Sequence, residues 1–518
     1  MIHNPRLSSP EGGGRGLRVW IYQLNDTMAS LKDKIGYGFG DMASSMFWKI
    51  FSYYLPFFYA HIFGIGLAHA AVLFLVTRIW DAVSDPMMGI IADRTQTRWG
   101  KYRPYVLWFA IPFAVCGILL FSTPDFSQTG KLVWAYVTYI MMMTVYTGIN
   151  VPYGAMLGVI TPDSAEKTVF SSYRMFFAYG GSFIALAAWE PLCNLFQNSF
   201  GMSAAGGWQW AMIVIAVACA LLFFLCFKMT REQVKSKSEV SVGSDLSKLL
   251  RNGPWWLLIG AALSTNLFNT VRGSTVAFYF ADLVSPDATL ALFGLSFAFF
   301  AGLFLAIGEL FNMVGVMITV PIVGALGKKN AFMAINILLA VLSVAFFYIP
   351  LGTTGGYWMM LVFQILISIG TGIVSPLVWS MYADVSDYSE QKYHTASTGL
   401  IFSSASMAQK FGSAFGGSGA LWLLAAFGYV TYELDSGVHV TQSAAALDGL
   451  RYLMSYIPAA VALFGAFMLI FYPLTTSRME EIDRDLRKRR GGELSSASES
   501  AEVAGKDAST EFCAAGKA

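Results

Sequence analysis

The sequence predicts an all-α membrane protein with twelve transmembrane helices in two six-helix bundles. Three observations lead there. Of the 518 residues, 56% are hydrophobic and only 13% are charged, about half the charged share of a soluble domain. Apolar runs long enough to cross a roughly 30 Å hydrocarbon core recur along the whole chain. Lysine and arginine gather in alternate connections between those runs, as they do in helices threaded back and forth through a bilayer.

The spans fall at about 36–60, 66–91, 105–123, 131–160, 172–197, 207–228, 254–283, 293–326, 330–350, 356–384, 396–430 and 449–474. This divides the chain into an N-terminal tail (1–34), a first bundle (35–228), a central linker (229–253), a second bundle (254–475) and a C-terminal tail (476–518). The first tail lacks the apolar core of a secretory signal, so the first helix is expected to be retained. The last tail, Ser/Ala/Glu-rich, has a composition expected to be largely disordered.

Arg94, Arg98, Lys101 and Arg103 lie between spans two and three, and Arg231, Lys235, Lys237, Lys248 and Arg251 in the linker. Lys328 and Lys329 separate spans eight and nine, and Arg484, Arg487, Lys488, Arg489 and Arg490 follow span twelve. Basic loops stay inside, so both termini and the linker are expected in the cytoplasm, the protein being multi-pass in the cytoplasmic (inner) membrane. A faint echo joins "AMLGVITPDSAEK" (Ala155–Lys167) to "SMYADVSDYSEQK" (Ser380–Lys392), six spans later. Parallel repeats of that kind occur in transporters with the site between the halves.

Charges inside the membrane are the functional signal. Arg78, Asp81 and Asp85 share one face of span two. Each costs at least about 2.5 kcal/mol at bilayer depth, so they are expected to face a protein or water-lined interior. Pro86 cannot donate to the carbonyl of Ala82, which leaves an oxygen beside two carboxylates. Hard cations prefer such ligands, and a carboxylate pair can equally hold a proton; an ion pair of Arg78 with one aspartate is the structural alternative. Thr147 and Asn150 add neutral oxygens one turn apart on span four. Lys410, mid-span in helix eleven, needs an anionic partner, Asp81 or Asp85. Arg272 and Glu309 are read as a structural pair, and Lys49 and Arg174 are further intramembrane charges. Trp48, Tyr53, Tyr54, Phe57, Phe58 and Tyr59 crowd span one, where aromatic faces suit sugar rings or helix packing. The cysteines and histidines show no metal-ligand spacing, and no nucleophile elbow or phosphate loop appears. No enzyme and no cofactor is expected.

"RIWDAVSDPMMGIIADRTQTRWGKYRPYVLW" (Arg78–Trp108) resembles the glycoside–pentoside–hexuronide:cation symporters, the melibiose permease-like family within the major facilitator superfamily. "GYGFGD" (Gly36–Asp41), "YTGINVPYGAM" (Tyr146–Met156), "SYRMFFA" (Ser172–Ala178), "WSMYADVSDYSE" (Trp379–Glu390) and "MAQKFGSAFGG" (Met407–Gly417) extend the resemblance in order from about Lys34 to Leu474. It implies cation-coupled sugar uptake by alternating access, the bundles opening to one side at a time. It places the coupling cation, Na⁺ or H⁺, at Asp81 and Asp85, with Thr147 and Asn150 beside it. The resemblance puts the sugar near Arg174 and Lys410; Asn150, Ser45 and Trp48 are further candidate sugar contacts, and Arg78, Arg98, Lys101, Asp384 and Asp387 are candidate coupling and gating residues. The only metal implied is Na⁺ at Asp81 and Asp85.

The chain also departs from the family's melibiose-transporting member. Asn150 and Ser45 stand where it has aspartates, and Gly154 and about Ser375 where it has tryptophans. "DYSEQKYHTAS" lacks the arginine pair usual after helix ten. The four substitutions argue against melibiose, Asn150 leaves the ion open, and the missing arginine pair bears on the cytoplasmic gating contacts and not on the fold. The expected function is therefore import of a glycoside, pentoside or hexuronide by a monomer, with the sugar, a monovalent cation and the bilayer as partners and no nucleic acid. A lipid or other non-sugar solute carried on the same fold, or a membrane-embedded sensor or enzyme, are the competing readings.

Overall fold

Residues 30–161, 164–232, 250–292, 295–393, 398–436, 440–486 and 488 are described in a computed structural model of the chain. The linker residues 233–249 and most of both tails lie outside the described residues.

Helix α1 (Leu31–Phe57) starts five residues before the expected span. The reason is local: Ser30 Oγ accepts from the Asp33 amide, and the Asp33 carboxylate accepts from the Ser30 amide, closing a capping box. A π-helical turn, Phe58–Ile62, ends this span. Then come α2 (Leu67–Arg94), α3 (Arg103–Leu120), α4 (Gln128–Ile160), α5 (Ser164–Asn194) and α6 (Ala204–Met229). The second half holds α7 (Gly253–Leu283), α8 (Ala301–Leu326), α9 (Lys328–Phe346), α10 (Thr354–Tyr393), α11 (Thr398–Ala426) and a twelfth span in two pieces, α12 (Ala444–Met454) and α13 (Tyr456–Ile470).

Two expectations about this half are corrected. Span eight does not begin at 293: an antiparallel pair, β1 (Thr289–Leu292) and β2 (Leu295–Ala298), precedes α8, with Thr289 opposite Ala298 and Leu292 opposite Leu295. Short apolar runs read alike as strand or helix, so hydropathy fused them with the helix. The twelfth span is broken at Ser455, whose backbone leaves the helical region (φ −130°, ψ −84°). Pro458 follows and has no N–H for the carbonyl of Met454, so a continuous helix would lose that bond in any case. In the charged first part of the C-terminal segment, residues 476–486 are helical, with Ile482 and Leu486 buried against the second half.

Packing repeats between the halves more clearly than sequence does. In the first, α1 packs on α5 and α6, α3 on α4 and α6, and α2 on α4. In the second, α7 packs on α11 and α13, α9 on α10 and α13, and α8 on α10. Each pairing maps onto its counterpart six spans later, the pattern of a parallel repeat. The quoted echo falls on the equivalent helices α4 and α10, but α4 ends at Ile160 whereas α10 runs on to Tyr393. Across the divide, α1 meets α7, α2 meets α11 and α5 meets α8.

Among the described residues, eight helices are long and apolar enough to cross a membrane; α1, α5, α7 and α11 are not among them. Those four pack in the chain α5–α1–α7–α11 through the middle of the molecule. They carry Asp41 and Lys49, Arg174, Asn266 with Asn269 and Arg272, and Gln409 with Lys410. Their low hydropathy marks an inward polar face.

Candidate functional site

A cavity of about 190 Å³ lies on the divide. Trp48, Lys49, Ser52 and Tyr53 of α1 and Tyr179 of α5 form one wall; Asn266, Asn269 and Thr270 of α7, Glu309 and Asn312 of α8, Thr371 and Ser375 of α10 and Ser413 of α11 form the other. The volume lies below the roughly 300–1,000 Å³ of drug-sized sites, and amides and hydroxyls dominate the wall. That chemistry suits a small polyhydroxylated ligand.

Ion pairs surround the cavity. Arg78 is buried, bonds Asp81 at 2.8 Å and lies over the Trp48 ring at 5.2 Å, so one tryptophan separates the cavity from the α2 charges. Asp85, one turn on, accepts from Thr147 Oγ1 of α4 at 2.9 Å and pairs with Lys410 of α11. Lys410 and Ser413 are one turn apart on α11, so the lysine stands beside the cavity wall. Arg174 bonds Asp41 of α1 at 2.8 Å, with the Tyr153 ring beneath it at 5.4 Å. Lys49 of α1 bonds Glu309 of α8 at 2.5 Å. Asp85–Lys410 and Lys49–Glu309 both join the two halves.

The structure therefore brings together Arg78, Asp81, Asp85, Thr147 and Lys410 from the sequence reading, and chooses Asp85 as the lysine's partner. Trp48 lines the cavity. Arg174, Asn150 and Ser45 are not part of its wall; the Asn150 amide donates to the Tyr146 carbonyl of its own helix at 3.2 Å. Among the aromatics of the first span, Tyr53 also faces this cavity, Tyr54 and Phe57 line the separate far-face cavity, and Phe58 and Tyr59 are buried in the π-helical turn.

The pairing of Arg272 with Glu309 is overturned. Arg272 donates to the Met454 carbonyl at 2.5 Å and to Gln364 at 3.0 Å. That carbonyl is the one Pro458 leaves without a helical partner, so the arginine caps the break in span twelve. Glu309 turns instead to Lys49, 260 positions earlier. Sequence named both charges and paired them with each other, because it had no sight of Lys49 or of the free Met454 carbonyl as partners. Asp41, inside a quoted motif, was missed as the Arg174 partner; its signal was an acid within a span that also needs to hold an unpaired arginine elsewhere.

The expected gating residues sit at the end where α1 begins, called here the near face. Arg98 stacks on Trp99 at 4.6 Å, and Lys101 pairs with Asp93 at 3.0 Å. Partial burial works against the Lys101 ammonium, but its bonds to Asp93 and Tyr102 outweigh that and hold its pKa above the ordinary lysine range. Asp384 bonds Lys328 at 2.6 Å within the second half, and Asp387 is half-buried one turn away. Glu232, in the linker, accepts from the amides of Lys101, Tyr102 and Arg103, each at 2.7 Å, at the start of α3. An anion is favoured there by the free N–H groups and the helix dipole. Gly100 precedes these amides with φ +118°, and a Cβ there would press into the Glu232 carboxylate.

Contacts also cross the divide at the opposite, far face, around a separate cavity of about 910 Å³ that Tyr54, Glu190, Trp208, Phe299 and Asp435 help to line. Glu190 of α5 accepts from the Tyr54 hydroxyl at 2.7 Å and from the Gly302 amide in the first turn of α8 at 3.0 Å. Lys131 bonds Glu433 at 2.9 Å, and Asp435 accepts from the Ala204 and Ala205 amides at the start of α6. His61 packs its ring nitrogens against the Tyr432 carbonyl and the Tyr429 hydroxyl.

Two similarly packed helical bundles, closed over a polar cavity at one face and tied by ion pairs at their divide, make this a membrane transporter rather than an enzyme. The chain belongs to the family described as MFS/sugar transport protein, which matches residues 36–476. It is 35% identical over 469 residues to a putative glycoside/cation symporter, YagG, of Escherichia coli, covering 90% of this chain and 97% of the relative. It is also 35% identical over 464 residues to an isoprimeverose transporter of Lactiplantibacillus pentosus, covering 87% and 90%. Among solved structures, a bacterial homologue of the human drug peptide transporters PepT1 and PepT2 superposes with a TM-score of 0.64 at 12% identity, covering 89% of this chain and all of the other. That likeness concerns the fold.

Proposed function

We propose that the chain imports a small sugar together with Na⁺ or H⁺ across the cytoplasmic membrane, as a monomer. The names of its relatives support sugar as cargo and a cation as coupling partner. The basic loops at the near face support a cytoplasmic location for that face, for the tails (1–34 and 476–518) and for the linker (229–253). The moving bodies are then residues 35–228 and 254–475, and the far-face contacts close the cavity to the outside.

The observation that carries the reading is Asp85. One carboxylate accepts from Thr147 of its own bundle and pairs with Lys410 of the other. Lys410 occupies the negative charge that a coupling ion needs. A cation arriving at Asp81 and Asp85, with Thr147 and Asn150 supplying neutral oxygens, competes with the ammonium and releases it toward the cavity. There it donates to a sugar hydroxyl beside Ser413. Ion and sugar thus act on the same lysine, and each must change the other's affinity by the same factor. Arg78 holds Asp81 in place and supports Trp48, the face on which a sugar ring stacks. Arg174 acts through Asp41 on the position of α1, and Ser45 adds a hydroxyl one turn before Trp48. Arg98, Lys101, Asp384 and Asp387 close the cytoplasmic face when the far face opens.

The test is uptake of labelled sugars by vesicles under an imposed Na⁺ or H⁺ gradient, with Asp85→Asn alongside. Wild type is expected to accumulate a sugar under one gradient, and Asp85→Asn to exchange it without accumulating it. Gradient-driven accumulation by Asp85→Asn would refute the assignment.

A further inference from the structure

Glu309 is 3% exposed, yet only one of its carboxylate oxygens is engaged, by Lys49 Nζ. The other, Oε2, is buried without a protein hydrogen-bond partner, in a residue that lines the cavity. A buried anionic acceptor left unsatisfied is costly, so the oxygen calls for a donor from the ligand. Lys49 completes the arrangement: its ammonium also donates to the Tyr53 hydroxyl at 3.2 Å, and its charge balances the glutamate. The third charge nearby, Arg272, lines an adjoining pocket of about 40 Å³ with Nη1 and Nη2 already bonded to Met454 and Gln364.

Resting on the sugar-transport reading, we infer that the Lys49–Glu309 pair is the specificity element of the cavity. It selects neutral glycosides, whose hydroxyl donates to Glu309 Oε2, over uronates and sulfonated sugars. A sugar carboxylate or sulfonate at that position brings only acceptors to an acceptor and sets two negative charges together. Sites built to hydrogen-bond a hydroxyl discriminate strongly against analogues that cannot supply it. The pair spans α1 and α8, so the hydroxyl that satisfies Glu309 acts on an ion pair that joins the two moving bundles.

The experiment uses the full chain in liposomes and counterflow of methyl β-glucoside against methyl β-glucuronide, which differ only in CH₂OH against a carboxylate. Counterflow needs no ion gradient. A chain that counterflows the glucoside but accumulates nothing under a gradient loses the coupling reading alone. Wild type is expected to exchange the glucoside and reject the glucuronide. Glu309→Gln removes the anion and leaves Lys49 unbalanced. Its apparent affinity for the glucoside is expected to fall about ten- to a hundredfold, the worth of a hydrogen bond to a charged group, while glucuronide exchange appears. The double variant Lys49→Met with Glu309→Gln removes both partners and so guards against misfolding from an unpaired lysine. It is expected to lose glucoside affinity without gaining glucuronide. An unchanged glucoside-to-glucuronide ratio in both variants overturns the inference, as does a wild type that prefers the glucuronide. A wild type that exchanges neither sugar overturns this inference, whereas the sugar reading falls only if the wider panel of labelled sugars also fails.

Discussion

Replacing Glu190 by alanine should open the far face. Its carboxylate makes two bonds, and they count differently. The Tyr54 hydroxyl belongs to the same bundle as Glu190, so that bond is lost equally in the closed and open forms and cancels. The Gly302 amide belongs to α8 of the other bundle, at 3.0 Å, and exists as a partner only when the face is shut. A bond to a charged acceptor is worth about 1.5–3 kcal/mol. The closed form should therefore lose that much relative to the open one, a shift of about 10- to 150-fold in population. The amide orphaned in the first turn of α8 adds in the same direction. The readout is a cysteine at Ser52, on the cavity wall, labelled by a membrane-impermeant maleimide added at the far face. The native cysteines of the spans, Cys116, Cys193, Cys219 and Cys226, are buried and free. Labelling of Ser52→Cys should accelerate by the same 10- to 150-fold in the Glu190→Ala background. A rate unchanged within about threefold, in protein that is folded and monodisperse, refutes the reasoning, since a bond of that worth cannot be removed without moving the equilibrium.

Three further outcomes can be checked. Gly372→Ala presses a Cβ into the Asn312 carbonyl where α8 and α10 touch through their backbones; overpacking of about 1–3 kcal/mol should lower the apparent melting temperature measured by size-exclusion fluorescence, and an unchanged midpoint would count against that contact. Glu232→Ala removes an acceptor shared by three amides at the start of α3, so the linker should detach and tryptic cleavage after Arg231 should speed up severalfold, whereas an unchanged cleavage rate would mean the docking is inconsequential. Arg272→Lys leaves a point charge where a fork meets two acceptors, and a stability loss of about 1–3 kcal/mol is expected in a denaturation series, with no loss if the break at Ser455 does not depend on the arginine.

How much of this was legible in the sequence depends on how far apart the partners lie. The face shared by Arg78, Asp81 and Asp85 follows from helical spacing alone, and the structure keeps it. The need of Lys410 for an aspartate follows from its depth, but the choice of Asp85 rests on where α11 crosses α2. Lys49 and Glu309 were visible as charges out of place, yet pairing them requires knowing that α1 faces α8. Arg272 was misassigned because charge matching ignores backbone acceptors: the carbonyl freed by Pro458 competes for the guanidinium and holds it. The β1–β2 hairpin and the break in span twelve escaped for a related reason, since hydropathy measures where a segment prefers to be and is silent on its backbone path.

The polar character of α1 bears on how the protein gets into the membrane at all. Asp41 and Lys49 together weigh about 5–7 kcal/mol against insertion of this first helix by itself. Their partners, Arg174 on α5 and Glu309 on α8, are synthesised more than a hundred and more than two hundred residues later. During translation α1 has neither counter-charge and must lean on the more apolar α2, entering as one leg of a hairpin. Its final seating therefore waits for half the chain to follow, which makes the biogenesis of this transporter a cooperative rather than a helix-by-helix process.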